Sequence, residues 1–308
     1  MKYEVHPDFE VLTHIYPPIN RWTLPVLQGL MGLLYSREKS DAQVRVERLS
    51  IPGPDGNRIR ALLYSPVEAE PDAPCLLYSH GGGYVFPAAP YQYALARRYT
   101  REVKCRTLFV DYRLAPQHPF PAAPKDCFAA YEWLQDNAAR LGIDPARIAV
   151  CGDSAGGGLS LAVSIMAAEK GLPGPCAQLL TYPAVGNCGE TESIRRFTDT
   201  PMCNSKDMDK YGRMYIPDPS AGPLAWRSPV QADNLGELSE TYIETAEFDS
   251  LRDGAHILAQ RMTDAGVSVE VHDTKGTVHG YDMALKSGIV EQCIRDRIAF
   301  LQRVFSKG

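Results

Sequence analysis

Residues Gly152-Asp153-Ser154-Ala155-Gly156 constrain this chain more than any other stretch. They stand directly after the apolar run Ile148-Ala149-Val150 and directly before a helix-like segment from Ala155 to about Lys170. A serine between two glycines at such a junction predicts a sharp strand-to-helix turn that holds the Oγ clear of a sheet. The turn forces an unfavourable backbone geometry on Ser154, so its close neighbours must be small, and Gly152 and Gly156 are. Taken alone, the pentapeptide also arises in Gly- and Ser-rich loops. A working nucleophile needs a base, an acid and a site for a developing oxyanion, supplied elsewhere by the same chain.

Upstream, Ala73 to Ser79 reads as a buried strand that runs into His80-Gly81-Gly82-Gly83-Tyr84. Three glycines after a strand cost conformational entropy, and a tight turn is one reading of them. The other is a loop whose bare backbone lets N–H groups approach a ligand oxygen closely. Gly82 and Gly83, with Ala155 just after the serine, form the candidate donor set. Removing one such donor typically costs about 3 kcal/mol of transition-state stabilisation. His80 opens the loop and reads as a residue that orients it.

Where such a turn carries a nucleophile, the acid and then the base follow it along the chain. Glu240 to Phe248 reads as a strand ending at Asp249, ahead of a helix-like run from Ile257 to Ala265. Asp249 at the strand's end is the preferred acid. Asp253, placed to order the loop or cap the helix, is the alternative. Val267 to His272 alternates like a last strand, and the loop after it carries His279. Of the seven histidines, His279 is the one hung where a base must reach Ser154. It would take the serine proton while Asp249 fixes its tautomer.

A chain of 308 residues can bury one large core, and one domain with an insertion is expected. The net charge of −5, spread without blocks, argues against nucleic acid or an anionic membrane surface as a partner. The segment Met1 to Pro7 lacks the apolar core of a signal peptide, which points to a cytoplasmic protein. Leu24 to Leu34 is too short to span a membrane, so no stable membrane insertion is expected. None of the eight cysteines forms a C-x-x-C pair. Reduced, mostly buried thiols are expected, with no metal site and no cofactor.

From Val44 onward strand and helix patterns alternate, which indicates an α/β protein with a mostly parallel sheet covered on both faces. Val44 to Ile51 and Arg58 to Tyr64 open it as a hairpin around Gly53-Pro54-Asp55-Gly56-Asn57. Sites in such sheets lie at the carboxyl ends of strands, where this reading puts Ser154, Asp249, His279 and the glycine loop. Two stretches break the alternation. Residues 1–43 read as helices with an amphipathic cluster of Trp22, Leu24, Val26, Leu27, Leu30 and Leu33. Residues 185–228, between the Gln178–Tyr182 strand and the Tyr242 strand, form a candidate cap at the site's edge. The expected division is 1–43 (cap helices), 44–184 (core), 185–228 (cap insertion) and 229–308 (core). Leu30, Met31, Met202, Met208, Tyr211, Met214 and Tyr215 would pack between cap helices or wall a pocket. Tyr84, Phe86, Tyr182, Val185 and Tyr281 flank the motifs and are candidate pocket walls, each equally readable as core.

Together these motifs resemble the hormone-sensitive-lipase-like esterases, the bacterial family IV carboxylesterases of the α/β-hydrolase fold. The resemblance rests on His80-Gly81-Gly82-Gly83, Asp111-Tyr112-Arg113-Leu114-Ala115-Pro116, His118-Pro119-Phe120-Pro121-Ala122-Ala123, Gly152-Asp153-Ser154-Ala155-Gly156-Gly157, Asp249-Ser250-Leu251-Arg252-Asp253 and His279-Gly280. It spans about residues 45–305. It implies an eight-stranded, mostly parallel sheet with a helical cap, Ser154, Asp249 and His279 as triad, and Gly82, Gly83 and Ala155 as oxyanion donors. The expected activity is hydrolysis of short-chain acyl esters, acetyl to about hexanoyl, through an acyl-enzyme. O-deacetylation of carbohydrate, natural-product or drug esters is the alternative, and a non-catalytic receptor of the same fold a remote one. The partner is a small-molecule ester, and a homodimer is left open. The chain departs from the family pattern at Ser250, usually Pro, and at Gly254, usually acidic.

Overall fold

The computed structural model describes residues 2–14 and 23–307. Trp22 lies outside the described residues. The strands are β1 (Val44–Pro52), β2 (Arg58–Pro66), β3 (Ala73–Ser79), β4 (Arg106–Asp111), β5 (Ile143–Asp153), β6 (Gln178–Thr181), β7 (Thr241–Thr245) and β8 (Val269–Asp273). They form one eight-stranded sheet in the order β1-β2-β4-β3-β5-β6-β7-β8. β1 and β2 are antiparallel and meet β4 antiparallel; every pairing from β4 to β8 is parallel. The sheet therefore matches the expected mostly parallel α/β architecture, with its antiparallel hairpin at one edge.

The helices are α1 (Thr23–Arg37), α2 (Pro90–Val103), α3 (Ala122–Leu141), α4 (Ala155–Glu169), α5 (Glu192–Arg196), α6 (Ser205–Tyr215), α7 (Leu224–Arg227), α8 (Arg252–Asp264) and α9 (Gly288–Phe305). Side chains two apart on a strand share a face. Leu76 and Tyr78 of β3 pack with Tyr99 of α2 and Ile294 of α9, whereas Cys75 and Leu77 pack with Leu134 of α3 and Val163 of α4. Helices thus cover both faces. No helix among the described residues is long and apolar enough to cross a membrane.

Three expectations need correction. α1 does not bury the cluster Val26, Leu30 and Leu33; these side chains are 63, 63 and 55% exposed. The inward stripe is Leu24, Gln28, Met31 and Tyr35, spaced by four, three and four residues on one helical face. Hydrogen bonds help to hold it: Gln28 Nε2 donates to the Val85 and Ala115 carbonyls, and the Tyr35 hydroxyl to Ala61 O. Hydrophobic spacing could not foresee that polar anchors would choose the face.

β7 ends at Thr245, four residues short of Asp249. Beyond it the chain leaves β6 and pairs with the loop after β8, through the Phe248–Val278 bridge. Glu247 fastens the same junction, its N–H donating to Thr277 Oγ1 at 3.1 Å and its Oε2 accepting from Gly276 N at 2.7 Å. The exchange of partners draws the Asp249 loop onto the His279 loop. β6 likewise stops at Thr181, because Tyr182 turns out with φ +36°.

Candidate active site

Ser154 sits between β5 and α4 with φ +54° and ψ −119°, a geometry that L-residues adopt only under constraint. The constraint is visible on both sides. Ser154 N–H donates to Thr181 O at 2.9 Å, and its carbonyl accepts from Ala184 N at 2.9 Å and Gly157 N at 3.0 Å. A Cβ on Gly156 would lie 1.9 Å from Ser79 O, and one on Gly152 2.3 Å from the Gly156 backbone. No side chain fits at either glycine.

His279 Nε2 lies 2.8 Å from Ser154 Oγ, and His279 Nδ1 lies 2.7 Å from Asp249 Oδ2. Asp249 is buried and its other oxygen accepts from Leu251 N at 2.9 Å, which fixes the carboxylate plane. Asp253 is directed elsewhere: it accepts from Ser193 N at 2.7 Å and from the Arg252 guanidinium. Burial pushes the His279 imidazole pKa down, but the adjacent Asp249 carboxylate outweighs it, and the net shift is above the usual 6.5. The Tyr182 ring packs edge-on against His279 at 5.0 Å.

The N–H groups of Gly82, Gly83 and Ala155 take no acceptor within the described residues, while Gly82 O accepts from Val85 N and Phe86 N. Asp153 shapes this loop. Its buried carboxylate accepts from Gly81 N, the Tyr78 and Tyr91 hydroxyls and Gln92 Nε2, at 2.7–3.1 Å. Sequence reasoning used Asp153 only as a family marker and missed Tyr91 and Gln92. The sole signal for them was an ionisable residue beside the serine in an otherwise apolar setting. His80, fully buried, stacks on Tyr112 at 4.3 Å and its Nδ1 meets Gly81 O at 2.7 Å, so it orients the loop.

Behind His279 stands a buried ionic cluster that sequence reasoning also missed. Arg297 of α9 donates to Glu244 of β7 and, at 2.9 and 3.0 Å, to both oxygens of Asp282. All three are fully buried. Tyr182 Oη donates to Asp282 Oδ2 at 3.0 Å, and Tyr242 and Tyr281 donate to Glu244. The cluster thereby braces Tyr182 and the loop that carries His279.

Two cavities meet at Ser154. The first, about 160 Å³, is walled by Met31, Phe86, Tyr182, Met202, Met208, Tyr211 and Met283. The second, about 450 Å³, opens past Gly83, Tyr84 and Ala155 toward α6 and α7. Of the proposed walls, Phe86 and Tyr182 line the first cavity and Tyr84 the second; Val185 and Tyr281 line neither. Val185 packs into the core beside Ala255 and Leu258, and Tyr281 turns inward to Glu244. Leu30 faces solvent, and Met214 packs into the core around α3. Among the described residues no group of three or more His, Cys, Asp or Glu side chains is placed to hold a metal.

A family model described as alpha/beta hydrolase fold matches residues 76–283. Esterase LipI of Mycobacterium tuberculosis is 36% identical over 248 residues, covering 80% of this chain and 77% of that protein. An arylesterase of Saccharolobus solfataricus is 33% identical over 79% of this chain and 77% of its own. Among solved structures, a bacterial heroin esterase superposes with a TM-score of 0.89 at 31% identity, covering 98% of each chain. With this fold and these relatives, the chain belongs to the hormone-sensitive-lipase-like family IV carboxylesterases of the α/β-hydrolase fold and is a carboxylic ester hydrolase.

Proposed function

We propose that Ser154, His279 and Asp249 are the catalytic triad of an esterase that works on short acyl esters through an acyl-enzyme. One observation carries the reading: an unbroken line of short contacts from Asp249 Oδ2 through His279 to Ser154 Oγ. His279 Nε2 accepts the Ser154 proton as Oγ attacks the carbonyl carbon. Negative charge gathers on the carbonyl oxygen, where Gly82, Gly83 and Ala155 N–H have no competing acceptor. The alcohol leaves with the proton from His279, and water then attacks the acyl-serine by the same route. Residues 1–43 and 185–228 act as the cap over the core formed by 44–184 and 229–308. Met31 from the first and Met202, Met208 and Tyr211 from the second support this division, since they close the smaller cavity.

A cavity of about 160 Å³ favours short acyl chains. With p-nitrophenyl esters from C2 to C12, kcat/KM is expected to peak at or below C6. Acid quench of a turnover mixture is expected to leave the acyl group on the Ser154 peptide by mass spectrometry. A peak beyond C10, or acylation elsewhere, overturns the reading.

The base must be neutral to act, so kcat/KM is expected to rise with pH through an inflection above 6.5. His279 has a raised folded pKa, so its stabilising contribution is present below 6.5 and is lost as pH rises through the folded value. Activity therefore appears in the window where that contribution fades. Asp249→Asn removes the main attraction and leaves burial opposed only by the smaller pull of Asp153, so the inflection is expected to move down, with a loss on the order of 10⁴ in kcat. Asp253→Asn is expected to cost less than about tenfold, because its partners are Ser193 and Arg252. A larger loss for Asp253→Asn than for Asp249→Asn would reassign the acid.

A further inference from the structure

We propose that the second cavity is a subsite for a carboxylate carried on one arm of the ester, an assignment that rests on Ser154 being the nucleophile. Its walls reach Ser154 and Ala155 at one end and α7 at the other. Among the described residues six buried side-chain polar atoms have no hydrogen-bond partner, and three belong to this wall: Tyr215 Oη, Arg227 Nε and Ser250 Oγ. Folded proteins leave few buried polar atoms unpaired, so three around one cavity point to a ligand group that satisfies them.

The donors define that group. A guanidinium only donates, and Arg227 enters no ion pair or side-chain hydrogen bond among the described residues. Tyr215 and Ser250, both 2% exposed, each hold a hydroxyl free to donate. The complement of such a set is an acceptor-rich anion, and a planar carboxylate matches the guanidinium fork. Two other polar residues of the wall, Ser228 and Asp209, are already occupied. Ser228 Oγ accepts from Asn187 N and donates to Gln231, and Asp209 lies exposed in an ion pair with Arg213 at 2.8 Å. Ser250 is also where the acid loop departs from the family pattern, and a proline there would carry no hydroxyl.

The test compares kcat/KM for charged and uncharged esters of equal length at low ionic strength. Monoethyl succinate, glutarate and adipate carry the carboxylate on the acyl arm; acetate esters of ω-hydroxy acids carry it on the alcohol arm. Each value is divided by that of the matching hydrocarbon ester. With the acyl group in the smaller cavity, the alcohol arm is the one expected to show a ratio above one that falls at least tenfold in Arg227→Gln, and a preference confined to the acyl arm overturns the subsite. Arg227→Lys keeps the charge and loses the fork, so its ratio is expected to fall between those of the parent and Arg227→Gln. The ratio is independent of how much of a variant is folded. A ratio below one on both arms, or one that Arg227→Gln leaves unaltered, overturns the subsite. A preference for acetylated sugars over both acid series would assign the cavity to a neutral polyol and overturn it too. Turnover of p-nitrophenyl acetate separates the levels: hydrolysis without carboxylate preference sinks the subsite alone, and no hydrolysis sinks the triad reading with it.

Discussion

Ser154→Ala is expected to lower kcat for p-nitrophenyl acetate by on the order of 10⁶, the scale seen when the nucleophile of such a triad is removed. The free N–H groups of Gly82, Gly83 and Ala155 and the cavity persist in the variant, so a residual rate of roughly 10³ over water is expected if those groups act as proposed. Thermal unfolding should be nearly unchanged. The backbone at residue 154 is held by Thr181 O and Ala184 N, which alanine leaves in place. Ser154→Gly separates strain from chemistry. With φ +54° relieved, glycine is expected to match alanine in inactivity yet gain about 1 kcal/mol of stability. Equal stabilities for the two variants would mean the turn stores no strain, and hydrolysis retained at a tenth of the parent rate would remove Ser154 from the reaction.

Arg297→Met should damage the fold and not the chemistry directly. It leaves Glu244 and Asp282 buried without their cation, a change that typically costs about 3–5 kcal/mol. The pH dependence carries a distinctive sign. Burial pushes the Glu244 carboxyl up, but Arg297 outweighs it and holds the group below 4.5. Glu244 therefore stabilises the parent above 4.5, and that contribution is lost as pH falls through its lower folded value. Burial raises Asp282 above 3.8, so it opposes folding near neutrality, and the opposition fades as pH falls through the raised value. Without Arg297 burial dominates both carboxyls and raises them, so the variant is expected to recover part of its deficit as pH falls from neutrality. Urea unfolding along a descending pH series measures this. A deficit that grows on acidification would show that the carboxylates had found other partners. Adding Glu244→Gln should restore more stability to the variant than to the parent, the signature of coupled sites.

The glycine-flanked serine and the glycine loop were legible because each depends on backbone geometry that few residues tolerate, and the histidine from its place in the loop after the last strand. Strand and helix succession was legible for the same kind of reason, since buried parallel strands leave short apolar runs between turn residues. Glu244 was not. It stands in Thr241-Tyr242-Ile243-Glu244-Thr245, where an acidic residue ordinarily marks a solvent-facing position, and its partner lies 53 residues away on α9. Arg297 was hidden in turn among Arg295, Asp296 and Arg303, which read as a charged outer face. Val185 and Tyr281 misled because nearness in sequence to a motif says nothing about side-chain direction. α1 misled through its anchors, as apolar spacing suggested one face and Gln28 with Tyr35 fixed another.

The Glu244–Arg297–Asp282 cluster also imposes an order of events during synthesis. β7 and the His279 loop leave the ribosome before residues 288–305, and until those emerge two carboxylates destined for the interior have no cation. Closing the sheet around β7 before Arg297 is available would bury Glu244 without its cation, at a cost of about 3–5 kcal/mol. Docking of α9 therefore supplies the charge on which burial of both carboxylates depends.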